Sequence, residues 1–207
     1  MRLLVLLLAV QVSIPALAQT ASKPADAPVT FAELEGSLIE ARIVRQQVIQ
    51  RDGHTFPMRF ESNVKIIIGS DDKLDFTWSS VSHTPRGVIQ GKTLSGPITL
   101  NQAKETRPKN LGGGHAVWFF EDGRLTALRT YKSEGAFKRD ITFTRSTDGF
   151  ACAANEAFAR EDGKGAVVMN SANDDVPVTI VSWKQVSSTC RVSKPDRTPT
   201  AQSGNAK

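Results

Sequence analysis

Cysteine is nearly absent from this chain, with two in 207 residues. That excludes a disulfide-dense miniprotein and a cysteine-built zinc site. Histidine is equally sparse. His54, His83 and His115 stand in three separate segments, without the tight local spacing of common zinc motifs, so no metal site is assigned. Neither sign of charge dominates: 26 Lys and Arg face 21 Asp and Glu, and the net charge of +5 is scattered. Nucleic-acid binding needs a clustered positive footprint, and none is present. Beyond the N-terminus no apolar run approaches the roughly 18 residues of a membrane-spanning helix. No G-x-G-x-x-G, no phosphate loop ending in Lys-Ser/Thr and no G-x-S-x-G elbow occurs, so no cofactor and no catalytic residue is assigned.

What is present begins with MRLLVLLLAVQVSIPALA. Arg2 supplies a positive start, Leu3 to Val10 an unbroken apolar run, and Ala16 and Ala18 an A-x-A cleavage pattern. This reads as a secretory signal peptide over residues 1–18, and the expected location is periplasmic or secreted, with no transmembrane segment in the mature chain. Residues 19–29, rich in Ala and Pro, read as a flexible lead-in. Residues 194–207 hold two prolines and no large apolar group, and such a tail cannot offset its ordering entropy by burial. A single folded domain is expected over 30–193. In an oxidising compartment the isolated pair Cys152 and Cys190 is expected to form one disulfide bond, worth about 2–4 kcal/mol.

The dominant rhythm has a period of two. Phe56, Met58, Phe60, Ser62, Val64, Ile66 and Ile68 fall on one face, and Thr55, Arg59, Glu61, Asn63 and Lys65 on the other. This is a strand with one buried face; a helix would smear these residues around its circumference. Ser37 to Gln50 reads as a strand through its Ile and Val content, although Leu34, Leu38, Ala41 and Val48 also fit helical spacing. A short strand is expected over Leu74 to Trp78, and short strands or an irregular excursion over Gly87 to Ile98. Residues 101–114 read as a long polar loop ending in Gly112, Gly113 and Gly114. The clearest hairpin is Ala116–Glu121, Asp122-Gly123, Arg124–Lys132. Further strands follow over Ala136–Arg145, Phe150–Phe158, Val167–Met169 and Val176–Trp183, with a last short one near Cys190. Thr30 and Glu33 have capping-box spacing, so a one-turn helix is expected at 31–35, stopped by Gly36.

Eight to ten strands joined by tight turns imply an antiparallel, mainly β domain that must protect its edges. We expect an up-and-down barrel with a short N-terminal helix; the alternative is a two-sheet β-sandwich. In architecture the expected barrel is similar to the small-ligand-binding barrels of the lipocalin and avidin type, although the G-x-W start of lipocalins is absent, since Ser37 and Leu38 follow Gly36. The resemblance implies a ligand held inside the barrel.

The candidate ligand-binding set is therefore the strand-borne Phe56, Met58, Phe60, Phe76, Trp78, Trp118, Phe120 and Tyr131, with Arg129. That arginine shares the parity of Leu125, Ala127 and Tyr131, and if it points inward it needs an anionic partner. The expected partner is a small apolar or amphiphilic molecule. Two alternatives stand: an envelope structural or protein-interaction module with a solid core, meeting a protein partner in the cell envelope, and a hydrolase or lyase with a site at the barrel mouth. Glu61, Glu134, Asp140 and Glu156 are the acids such an enzyme would draw on, and nothing in the sequence selects among them.

Overall fold

A computed structural model of the chain describes residues 27–91, 93–107, 114–131, 135–158, 165–171 and 174–194. Among the described residues twelve strands follow a single turn of 3-10 helix at Ala32–Leu34. They are β1 (Leu38–Arg51), β2 (His54–Ile68), β3 (Lys73–Thr84), β4 (Gly87–Gln90), β5 (Leu94–Thr99) and β6 (Lys104–Arg107). The second half holds β7 (Gly114–Glu121), β8 (Arg124–Tyr131), β9 (Gly135–Ser146), β10 (Gly149–Phe158), β11 (Gly165–Ser171) and β12 (Asp174–Ser193).

The chain is mainly β, and every pairing is antiparallel. Seven strands form one sheet in the order β11-β12-β1-β2-β3-β4, with β5 pairing the first half of β3. Five form the other, in the order β10-β9-β8-β7-β6. Among the described residues no ladder joins the two sheets, and no closed barrel forms. They face each other like the layers of a sandwich.

Local chemistry explains the connections. Asp52-Gly53 and Asp122-Gly123 all have positive φ, at 50° and 76°, and at 47° and 72°. Both pairs make the two-residue turn whose twist matches that of the flanking strands. Sequence reading places strands at β1, β2 and β7 to β10 to within a few residues. It misses β6, inside the stretch expected to be loop, and it underestimates β3, which runs twelve residues. The segments expected over 176–183 and near 190 are parts of one strand, β12, of twenty residues. The β1–β12 register skips Val186 and Val181. Each skip is a bulge that reverses which face the alternation presents. Cys190, Gln185 and Ile180 therefore all face inward despite their mixed parity, and the two-residue period is lost from the sequence.

The alternation on β2 runs as expected, with Met58, Ser62, Val64, Ile66 and Ile68 buried and the residues between them mostly exposed. The main core lies between the sheets: Ile39, Ile43, Val64, Ile66, Ile68 and Leu74 meet Trp118, Leu125, Ile141 and Phe143. The N-terminal turn closes one end. Leu34 is fully buried there, and Phe31 packs edge-on against Phe120 at 5.6 Å. Glu33 accepts bonds at 2.7 Å from both the backbone N–H and the hydroxyl of Thr30, which is half of the expected capping box.

The sheets are tied along the β10–β12 side. A disulfide joins Cys152 to Cys190 with a Cα separation of 5.4 Å, inside the range such a bond requires. Beside it, the Gln185 side chain accepts a bond from the backbone N–H of Glu156 at 2.8 Å and donates to the carbonyl of Ala154 at 3.4 Å. One amide side chain thus satisfies part of the edge of β10. Among the described residues no helix is long and apolar enough to cross a membrane.

Candidate ligand-binding groove

The residues expected to line a cavity are mostly side chains of the packed interior. Phe76 meets Trp118 at 5.5 Å, and Phe120 lies 6.1 Å from Phe143. Phe60 stacks on Trp78 at 6.4 Å. The indole Nε1 of Trp78 is buried without a hydrogen-bond partner. Met58 and Phe56 pack with Ile49, Ile180 and Trp183 in a smaller cluster at the far end of the long sheet. Arg129 pairs in the ladder with Ala116 and Phe137, on the core-facing parity of Leu125. It is half-buried and makes no ion pair among the described residues. Tyr131 ends β8 opposite Gly114 and Gly135, and its side chain lies outside what the structure describes.

Between the two apolar clusters runs a buried polar layer. Arg45, Gln47, Ser62, Ser80 and Ser82 enter from the long sheet, Arg139 and Glu156 from the short one. Arg45 reaches one carboxylate oxygen of Glu156 at 2.6 Å, and Arg139 bonds the other. The Arg45 guanidinium also lies 4.0 Å from the centroid of Phe60 and 5.1 Å from that of Phe137. Burial pushes the Glu156 carboxyl up, and the positive charges of Arg139 and Arg45, with their hydrogen bonds, override this and hold it below the ordinary carboxylate range. The layer is filled with side chains, and its chemistry is that of a structural tie.

A candidate binding space lies on the other side of the long sheet. A groove of about 660 Å³ crosses β12, β1, β2 and β3. Its position follows from register. Lys184 is opposite Gln46, Gln46 opposite Arg59, and Arg59 opposite His83. All four are exposed and alternate with inward residues, so they line up on the face turned away from the short sheet. With strands about 4.8 Å apart, this row spans about 14 Å. Every member carries N–H donors and none is an acid. The opposite bank is Ser182, Val48, Pro57 and Pro85, largely apolar. Gln47, Met58, Thr84 and Trp183 lie between the banks with inward side chains, so their backbone makes the floor.

Among the described residues one acid borders the donor row. Glu61, two positions from Arg59, lies 3.1 Å from that guanidinium, 3.6 Å from Nε2 of His83 and 2.5 Å from Arg42. The hydrogen bond from Arg42 chiefly holds the Glu61 carboxyl below the usual range; partial burial opposes it, and the charges of Arg42, Arg59 and His83 assist.

Of the acids open to an enzymatic reading, Glu61 and Glu156 occupy opposite faces of different sheets. Asp140 accepts a bond from Thr126 at 2.7 Å, and Glu134 lies outside the described residues. No three His, Cys, Asp or Glu side chains converge among the described residues. The groove itself is not legible in the sequence. Only Met58 of the candidate set borders it, because a transverse row exists only once four strands are in register. Comparison of the chain with models of known families, with curated proteins and with solved structures finds no match.

Proposed function

We propose that this is an extracytoplasmic binding protein for a small amphiphilic molecule, held in the open groove on the outer face of the seven-stranded sheet. The observation that carries the reading is the pairing of banks: a row of Lys184, Gln46, Arg59 and His83 against Val48, Pro57 and Pro85. A polar head fits the first and a short apolar body the second. The N-terminal signal pattern and the Cys152–Cys190 bond support an oxidising compartment outside the cytoplasm, periplasmic or secreted. A lipocalin-like barrel would hold its ligand between the sheets. The packed interior, with the Arg45–Glu156–Arg139 tie across it, favours the outer groove instead.

The test is a titration with twelve-carbon amphiphiles below their micelle concentration, read by tryptophan fluorescence, since Trp183 lies at the groove floor. Saturable one-to-one binding is expected, lost when Val48→Trp fills the apolar bank. Binding unaffected by that substitution would remove the groove from the reading.

A second reading, an interaction module of the cell envelope, draws on β4. This short edge strand leaves Val88 and Ile89 exposed at 60% and 50%, the kind of free edge that pairs with another chain. Absence of amphiphile binding together with a native protein complex lost on Ile89→Lys would favour it.

A further inference from the structure

We infer that Glu61 is an internal competitor for the anionic head of the groove's ligand, and that the ligand class is a small amphiphile ending in a carboxylate or phosphate. The inference rests on the groove reading above and names what the donor row selects.

Four observations carry it. The row holds two permanent cations, Lys184 and Arg59, with the imidazole of His83 beside them, and Lys184 has no acidic partner among the described residues. Charge in such a row asks for an anion. The anion now in contact with Arg59 and His83 is the chain's own. Across β12, β1, β2 and β3, Glu61 is the one acid in this row and the next, whose other members are Lys184, Gln46, Arg59 and His83, then Ser187, Val44 and Val81. Exposure then shows which partner is free to leave. The Glu61 side chain is 15% exposed, whereas those of Arg59 and His83 are 54% and 44% exposed. The carboxylate is held and the two donors are free to reorient. Finally, Glu61 uses different oxygens for its partners. Oε1 faces Arg59 and His83, and Oε2 is bonded by Arg42. When Arg59 and His83 turn to an incoming anion, Arg42 stays with Glu61, and no charge is left unpaired. The exchange replaces one carboxylate by another anion at the same donors, with no bond made or broken.

Calorimetric titration of the full chain tests this with three probes: dodecyl phosphate, dodecyl maltoside and inorganic phosphate. The variants are Glu61→Gln, Arg59→Gln and Glu40→Gln. Glu40 lies on the same face, paired with Lys65 at 2.9 Å, about 20 Å along the strand from Gln46, so it controls for net charge. Glu61→Gln should bind dodecyl phosphate about fivefold more tightly, the effect of removing one nearby charge at a solvated site. Its affinity for dodecyl maltoside should change far less. Arg59→Gln should weaken dodecyl phosphate selectively, and Glu40→Gln should match the parent chain. Melting curves establish that each variant is folded.

If the parent binds both amphiphiles and Glu61→Gln behaves like Glu40→Gln, the competitor role is overturned and the groove reading survives. If neither amphiphile binds, both fall. If inorganic phosphate binds as tightly as dodecyl phosphate, the site takes a free anion, and the amphiphile class is overturned.

Discussion

Arg45 and Glu156 meet at 2.6 Å across the interior although 111 residues separate them in the chain. Arg45 projects from the long sheet and Glu156 from the short one, so their bond fixes how the sheets face each other. Charges in this setting cost desolvation energy, which is recovered only when every partner is present. Here the partners are Arg139, Ser62 and Gln47, all buried as well.

Removing the anion alone should therefore be severe. Glu156→Gln removes the carboxylate that both guanidiniums bond, and a loss of about 3–5 kcal/mol is expected in urea denaturation. Replacing all three members by Met and Leu should be far milder, since an apolar layer of similar volume has no charge to compensate. A single variant within about 1 kcal/mol of the parent would show that the pair does not bridge the sheets in solution.

The same site sets an acid limit. The folded-state pKa of Glu156 is depressed. Its stabilisation is then fully present above the unfolded value of about 4.3 and is lost as pH falls through the lower folded value. Stability measured from pH 7 downward should stay level for this group until about pH 5 and then decline. The triple apolar variant should lack this part of the decline. An equal acid slope in both proteins would assign it to other carboxylates.

Ile66 and Ile67 offer a direct check on the two-residue period. Ile66 is fully buried and its neighbour is 52% exposed. Ile66→Ala should cost about 3 kcal/mol or more, through lost transfer energy and the cavity left behind. Ile67→Ala should stay within about 0.5 kcal/mol. Equal costs would mean that both faces of β2 are covered.

Gln185 should act as a local seal. Gln185→Ala withdraws the acceptor from the Glu156 amide, and a buried amide without a partner costs about 1–3 kcal/mol. Hydrogen exchange at Glu156 should accelerate well beyond that of amides inside the β8–β9 ladder. Unchanged protection there would show that another group satisfies the amide.

The disulfide closes a separation of 38 residues and spans both sheets. Cys152→Ser with Cys190→Ser should lower stability by about 2–4 kcal/mol against the oxidised parent. Free thiols at both positions in protein isolated under non-reducing conditions would overturn the bond.

Much of the β-structure was legible in the chain because its signals are local. Phe56 to Ile68 alternate without interruption, and Asp52-Gly53 and Asp122-Gly123 carry the residues that their positive φ angles require. Illegible parts share one property: they depend on a neighbour distant in sequence. The bulges at Val181 and Val186 erase the alternation of β12, and only pairing with β1 reveals it as one strand. Glu156 looks like any surface acid until Arg45 and Arg139 are brought to it. The groove row draws single residues from four strands, none notable alone.

The order of residues by itself determined the strand-rich class, the tight turns and the faces of β2, because backbone sterics and two-residue periodicity act over a few positions. The tertiary structure decided that the strands divide into two sheets, that three charged side chains tie them together, and that a groove opens on the outer face of the long sheet. Those outcomes depend on register and on packing between segments that lie far apart in the chain, such as those of Arg45 and Glu156 or Leu38 and Ser193, and no local pattern encodes such distances.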